Sequence, residues 1–233
     1  LFLKKLLTKQ HKQKEIVQPP IEYKNAMAYI ERILNEKMKD EDKIVILDFV
    51  SEMVKKDLQS NVITTIFYSE DHFKKNLTFL LPPLYFDENN VEHYFLSEDA
   101  SNYSKNIDLS TDCVLVMPWN KDRLPKNILN IFKNGFIHHP SNHMAYYYTE
   151  LDICYVYNGT HSITSGIGYK NGLITAEVIQ MNRIFEHIRT DGLHWYSTHN
   201  NIQLGEVYDF RVAIIYEIAK IKYNLLKQLI CSP

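Results

Sequence analysis

Cysteine is scarce in this 233-residue chain: Cys113, Cys154 and Cys231 are far apart and form no C-x-x-C pair. A disulfide framework is therefore not expected, which favours a reducing compartment. Cys113 and Cys154 stand beside apolar stretches, Val114 to Met117 and Tyr155 to Tyr157; there a free thiol acts as a small core residue. Long apolar runs are also missing. None reaches the length of a membrane span, and Leu1 to Leu7, broken by Lys4 and Lys5, is too short and too charged for a signal segment. The expectation is a cytoplasmic protein without a membrane partner. Nor is there an excess of one charge: 26 Lys and Arg against 28 Asp and Glu leave a net −2. No global basic field would hold nucleic acid, although Lys4, Lys5, Lys9, Lys12 and Lys14 could form a local arm or a solvated tail. No internal repeat is present.

What is present is average enough to fold. With 45% hydrophobic and 23% charged residues, the chain suits one large domain, or one domain with a helical extension. Residues 1–20 end in Gln18-Pro19-Pro20 and read as a tail or linker. Residues 21–111 read as a mostly helical extension. Ala26, Tyr29, Ile30, Ile33 and Leu34 follow one helical stripe, and Ile44, Leu47, Val50, Val54 and Leu58 a second. Val62 to Tyr68 is β-branched and aromatic, so a strand or a continued helix both fit. Residues 69–111 look loop-rich, with short strands at best.

The pattern sharpens in 112–200. Cys113 to Met117, ended by Pro118, reads as a buried strand; Pro125 opens a helix with Ile128, Leu129, Ile131 and Phe132 apolar, stopped at Asn134-Gly135. Tyr146 to Tyr157 reads as one or two strands, and Ile174 to Ile179 as another. Residues 201–233 close the chain, and 206–229 predict one long helix, with Phe210, Ile214, Ile218, Ile221 and Leu225 on a stripe that packs on the extension or on a second copy as a homodimer.

The chemistry concentrates at Asn158-Gly159-Thr160-His161-Ser162. A strand stops, glycine permits a tight turn, and a helix begins with unpaired N–H groups and the positive end of its dipole outward. With the Thr160 and Ser162 hydroxyls and the His161 imidazole at the same mouth, this is a phosphate site in outline. The bland alternative is a capped helix start.

The order of elements extends that reading. Pro118-Trp119-Asn120-Lys121-Asp122-Arg123, a helix ending Asn134-Gly135-Phe136, a strand, the Asn158 to Ser162 turn, a helix, and the strand Ile174 to Ile179 together resemble the ParB/sulfiredoxin superfamily. The resemblance covers about residues 112–195. The run Asn158 to Ile167, with Pro118-Trp119 and Asp191-Gly192, looks like an uncharacterised bacterial domain-of-unknown-function family. The resemblance implies an α/β (α+β) fold: a small mixed-sheet core with an N-terminal helical extension and a long C-terminal helix. It also implies a nucleotide- or phosphate-binding function, as an NTPase or nuclease in a bacterial defence or mobile-element setting. The turn carries Ser162 where the superfamily usually has arginine, and no cysteine, which excludes sulfiredoxin's repair chemistry; Arg123 could supply the charge.

The candidate site is therefore Asn158, Gly159, Thr160, His161, Ser162 and Arg123 for phosphate, Trp119 for stacking on a base, and His143 and His161 as catalytic acid or base. Glu150, Asp152 and Glu177 are candidates to hold Mg²⁺ on a nucleoside triphosphate. The loop His138-His139-Pro140-Ser141-Asn142-His143 reads either as an imidazole metal site or as a polar loop. The competing function is a non-catalytic nucleotide- or DNA-binding module, or an interaction protein.

Overall fold

The computed structural model describes residues 18–70, 79–94 and 100–231; the lysine-rich start and most of the tail read from it lie outside them. The chain is a mixed α+β structure. It begins with α1 (Ile21–Asn35) and α2 (Asp40–Tyr68), and ends in α5 (Phe210–Cys231). Between them, β3 (Ala100–Asp108), β4 (Val114–Leu115), β5 (Met144–Tyr148), β6 (Ile153–Asn158) and β7 (Leu173–Ile179) form a mixed sheet ordered β3-β7-β5-β6-β4. Helices α3 (Arg123–Asn134) and α4 (Thr160–Gly168) follow β4 and β6.

The segment Val62 to Tyr68, open between strand and helix in the sequence, is helical. In α2, Leu47, Ser51, Lys55, Leu58, Val62 and Ile66 are buried at steps of three and four, so one face continues unbroken past Leu58. That burial overrides the β-propensity of the last turns. Asp40, Glu41 and Asp42 oppose the dipole at its start.

The sheet also reaches back beyond residue 112. Strand β3 runs antiparallel to β7, from Asp108↔Leu173 to Ala100↔Ile179, so an edge of the core comes from a stretch that looked loop-rich. A small hairpin, β1 (Leu84–Phe86) with β2 (Glu92–Tyr94), precedes it. A second sheet of β8 (Ile188–Thr190), β9 (His194–Ser197) and β10 (Gln203–Glu206) follows the core. Asp191-Gly192 makes the β8–β9 turn: the Asp191 carboxylate accepts the N–H groups of Leu193 and His194 at 2.8 and 2.7 Å.

Each face of the main sheet is covered. Tyr148, Ile153 and Tyr155 pack with Leu58 and Val62 of α2, Trp195 of β9, and Val212, Ile215 and Tyr216 of α5. Ala145, Cys154, Val156 and Ala176 point the other way, toward Ile163 of α4. The apolar stripe of α5 is occupied within the chain: Ile214 and Ile218 are buried with Tyr23, Ile30 and Leu47 of α1 and α2, while Phe210, Ile221 and Leu225 are half-buried beside them. In α3 the apolar face is only partly used. Ile131 is buried, but Leu129 and Phe132 are exposed, because α4 is the main element the helix packs on.

One buried cation ties α2 to the sheet. Lys55, 3% exposed, pairs with Glu52 and with Asp152 at 3.1 Å. Asp152 also takes the Tyr147 hydroxyl at 2.6 Å. Burial pushes the Asp152 carboxyl upward, but Tyr147, Lys55 and Lys105 together hold it below the ordinary range. Asp152→Ala should cost about 1–2 kcal/mol in urea unfolding, less than the roughly 3–5 kcal/mol of breaking a fully buried pair, because Asp152 is half-exposed and Glu52 remains. Since folding lowers this pKa, the contribution is complete above about pH 3.9 and fades as pH falls through the lower folded value. The gap between wild type and variant should close there.

Candidate phosphate site

Strands β4 and β6 are adjacent and parallel, with Val114↔Cys154 and Leu115↔Tyr155 in register. Each runs on into a loop and a helix, so the starts of α3 and α4 meet outside the carboxyl ends of two neighbouring strands. In open α/β sheets that is where a ligand crevice forms. Here it is a cavity of about 310 Å³ lined by Trp119, Arg123, Asn127, Asn142, and Tyr157 through Ser162.

The turn into α4 depends on Gly159. Its φ is +78°, and a Cβ there would lie 2.6 Å from His143 Cδ2 and 2.7 Å from the Asn142 carbonyl. No side chain caps the N–H groups that open α4, and Ile163 N–H is the first to bond back, to the Gly159 carbonyl at 3.1 Å. The start of α3 is different: Asn120 Oδ1 accepts the N–H groups of Asp122 and Arg123 at 2.9 and 3.0 Å.

Asn120 also joins the two loops. Its N–H donates to His161 Nε2 at 3.1 Å, which leaves the His161 proton on Nδ1. His161 is 8% exposed, its Nδ1–H has no acceptor among the described residues, and the ring lines the cavity. Trp119 meets this ring edge-on at 5.4 Å, and the Arg123 guanidinium lies 5.0 Å over the Trp119 ring. Burial, with Arg123 nearby, lowers the His161 pKa.

His143 is buried between β5 and α4. Its Nδ1 accepts the His139 N–H at 3.1 Å, so the proton sits on Nε2 and is donated to Ser162 Oγ at 2.9 Å. Ser162 passes its own proton to the Gly159 carbonyl at 3.0 Å. Phe136 stacks on the ring at 5.0 Å. Burial, and then His138 and His139, hold the His143 pKa down at about 4. The imidazole metal reading of this loop fails on the same bonds, since both nitrogens of His143 are engaged. Among the described residues, no three His, Cys, Asp or Glu side chains gather to hold an ion.

The structure thus brings together Trp119, Arg123, His143 and Asn158 through Ser162, all placed here by sequence. It does not bring the carboxylates. Glu150 and Asp152 lie in the β5–β6 turn, at the opposite end of the strands, roughly 20 Å away at about 3.3 Å per residue. Glu150 accepts the Met181 N–H at 2.8 Å, and Asp152 holds Lys55. Glu177 is exposed on β7 opposite Tyr146, close enough to raise the Tyr157 pKa alongside burial and Tyr146, but it does not line the cavity. Sequence reasoning missed Asn127, one helical turn after Arg123; that i,i+4 spacing from a candidate ligand was the available signal.

Two outcomes follow. Gly159→Ala should cost roughly 3 kcal/mol or more in urea unfolding, combining a left-handed alanine with a clash against His143. His143 should also make stability fall with acid. Its folded pKa of about 4 lies below the usual value of about 6.5, so the unfolded chain takes up the proton first as pH falls. Stability should drop between those two values, and His143→Gln should remove that part of the slope; an unchanged slope would show that the ring is not held neutral.

No curated protein and no solved structure matches the chain. The model of one family does match, over residues 3–228, and the chain belongs to it: a family of unknown function, DUF6710.

Proposed function

We propose that the crevice between α3 and α4 binds the phosphate of a nucleotide. One observation carries this reading. The uncapped start of α4, the His161 Nδ1–H, unpartnered among the described residues, and the Arg123 guanidinium converge on one cavity. Backbone donors at a helix start, an aligned dipole and a guanidinium each favour the same bound group, an anion with several acceptor oxygens. Trp119 and Tyr157 offer aromatic surface to a base in the same cavity. The strand–turn–helix order around Gly159 supports the ParB/sulfiredoxin-like interpretation of the core, in which this turn is the phosphate-holding element.

A catalytic version, an NTPase or nuclease, rests on the 2.9 Å contact between His143 and Ser162, a spacing that suits a base and a nucleophile. The hydrogen bonds point the wrong way for it. Nε2 carries the proton, and the serine proton faces the Gly159 carbonyl. That favours a binding module, with His143 and Ser162 as a brace that positions the turn.

Arg123 is exposed and forms no ion pair among the described residues, so reversing its charge removes only its contact over the Trp119 ring. Arg123→Glu should abolish calorimetric binding of ATP, CTP and inorganic phosphate while the thermal transition stays in place. His161→Ala should weaken the same binding by about tenfold, the loss of one charge-assisted hydrogen bond. Wild-type binding that survives in Arg123→Glu would move the ligand elsewhere.

A further inference from the structure

We infer that the ligand of this crevice is a phosphodiester flanked by two nucleosides, such as a dinucleotide or a stretch of single-stranded nucleic acid, rather than a nucleoside triphosphate. The inference rests on the phosphate site proposed above and specifies what that site takes.

The first observation is shape. A second cavity, of about 370 Å³, runs along the same face of α3 toward Gly135, Phe136 and Ile137. It shares Asn127, Asn142 and Ser162 with the first, so the two open on either side of the start of α4. A terminal phosphate would fill one side only. A phosphate linking two nucleosides would place one in each.

The second observation is charge. Among the described residues, Arg123 is the one permanently charged side chain lining either cavity, and no Asp or Glu lines them. One guanidinium and about half a charge from the α4 dipole match the single negative charge of a phosphodiester. They fall short of a triphosphate's several charges. A triphosphate is ordinarily neutralised by Mg²⁺ held on one or two carboxylates, and no carboxylate among the described residues lines either cavity to hold it.

The third observation is the lining of the second cavity. Asn134 Nδ2 donates to Asn130 Oδ1 at 2.9 Å, which leaves Asn130 its amide donors and Asn134 its carbonyl acceptor. Asn127 spends one donor on the Arg123 carbonyl at 2.9 Å and keeps its Oδ1. Neutral donors and acceptors side by side fit the edge of a nucleobase, and Phe136, whose ring already stacks on His143, adds an apolar wall to the same space.

The test is calorimetry on the full chain with ApA, CpC, GpG, UpU and their deoxy counterparts, each with one internal phosphodiester and no terminal phosphate. ATP and CTP with and without Mg²⁺, and inorganic phosphate, are run beside them. At least one dinucleotide should bind more tightly than every mononucleotide by about tenfold or more. Asn130→Ala with Asn134→Ala, at exposed positions of α3, should erase that advantage and leave phosphate binding unchanged. Arg123→Glu should remove both. If ATP or phosphate binds in an Arg123-dependent way and no dinucleotide binds better, the phosphodiester inference fails while the phosphate site stands. If the double variant keeps the full dinucleotide advantage, the second cavity is not its subsite and the inference fails. If no probe binds, both fail.

Discussion

The left-handed backbone of Gly159 and the buried ring of His143 occupy space that neither could share with a larger partner. The missing Cβ lets the His143 ring lie against the turn, and the ring in turn holds Ser162 through Nε2 while the His139 N–H fixes its tautomer. This contact sets how β5, β6 and α4 meet. Were the turn to open, α4 would lose its angle to β6, and its first N–H groups would no longer face Arg123 and Trp119. The hydrogen bond from Asn120 to His161 then adds the β4–α3 loop to the same joint. One tight contact and one long-range bond thus bring two helix starts to one mouth.

The electrostatics of that mouth are sparse. Both imidazoles are held toward the neutral form by burial, and each already spends one ring nitrogen on accepting a backbone N–H. They therefore contribute directional donors and no positive charge at neutral pH. The attraction for an anion is left to Arg123 and to the helix start, and no carboxylate among the described residues lines the cavities beside them. Two acidic groups the fold does use, Asp152 and Glu150, are drawn to the opposite end of the strands, where they anchor Lys55 and the Met181 N–H. These two structural carboxylates and the candidate ligand groups are thus separated by the length of the strands.

Much of this was legible because the deciding signals are local. The turn at Gly159, the strand before it, the proline-and-tryptophan loop and the long terminal helix each announce themselves within a few residues. What was not legible depends on partners far away in the chain. Strand β3 has no apolar alternation to mark it; it is a strand because β7 is there to pair with it. Val62 to Tyr68 has strand-like composition, yet it is helical because Val62 and Ile66 extend a buried stripe that starts at Leu47. Glu150 and Asp152 looked close to the turn in sequence, but a strand stands between them and it, and strand length converts a short sequence gap into distance. The role of Asn120 was hidden for a simpler reason: its N–H acts on a residue 41 positions later.

The His143–Ser162 pair shows why a catalytic spacing does not by itself make a catalytic site. A serine becomes a nucleophile when a neighbouring nitrogen with a free lone pair can take its proton. Here the lone pair of His143 faces inward to the His139 N–H, and the N–H faces Ser162. Exchanging the two would require the Nδ1 proton to point at the His139 N–H, setting two donors against each other in a buried site. An unsatisfied buried donor costs about 1–3 kcal/mol, and two facing each other add repulsion to that cost. The backbone turn that places His139 over Nδ1 is closed by its own bonds, from Asn142 and His143 N–H to the His139 carbonyl at 2.9 and 2.8 Å. The tautomer is therefore built into the loop, and a protein selected to activate Ser162 would need a different residue geometry at exactly one place, the His139 peptide.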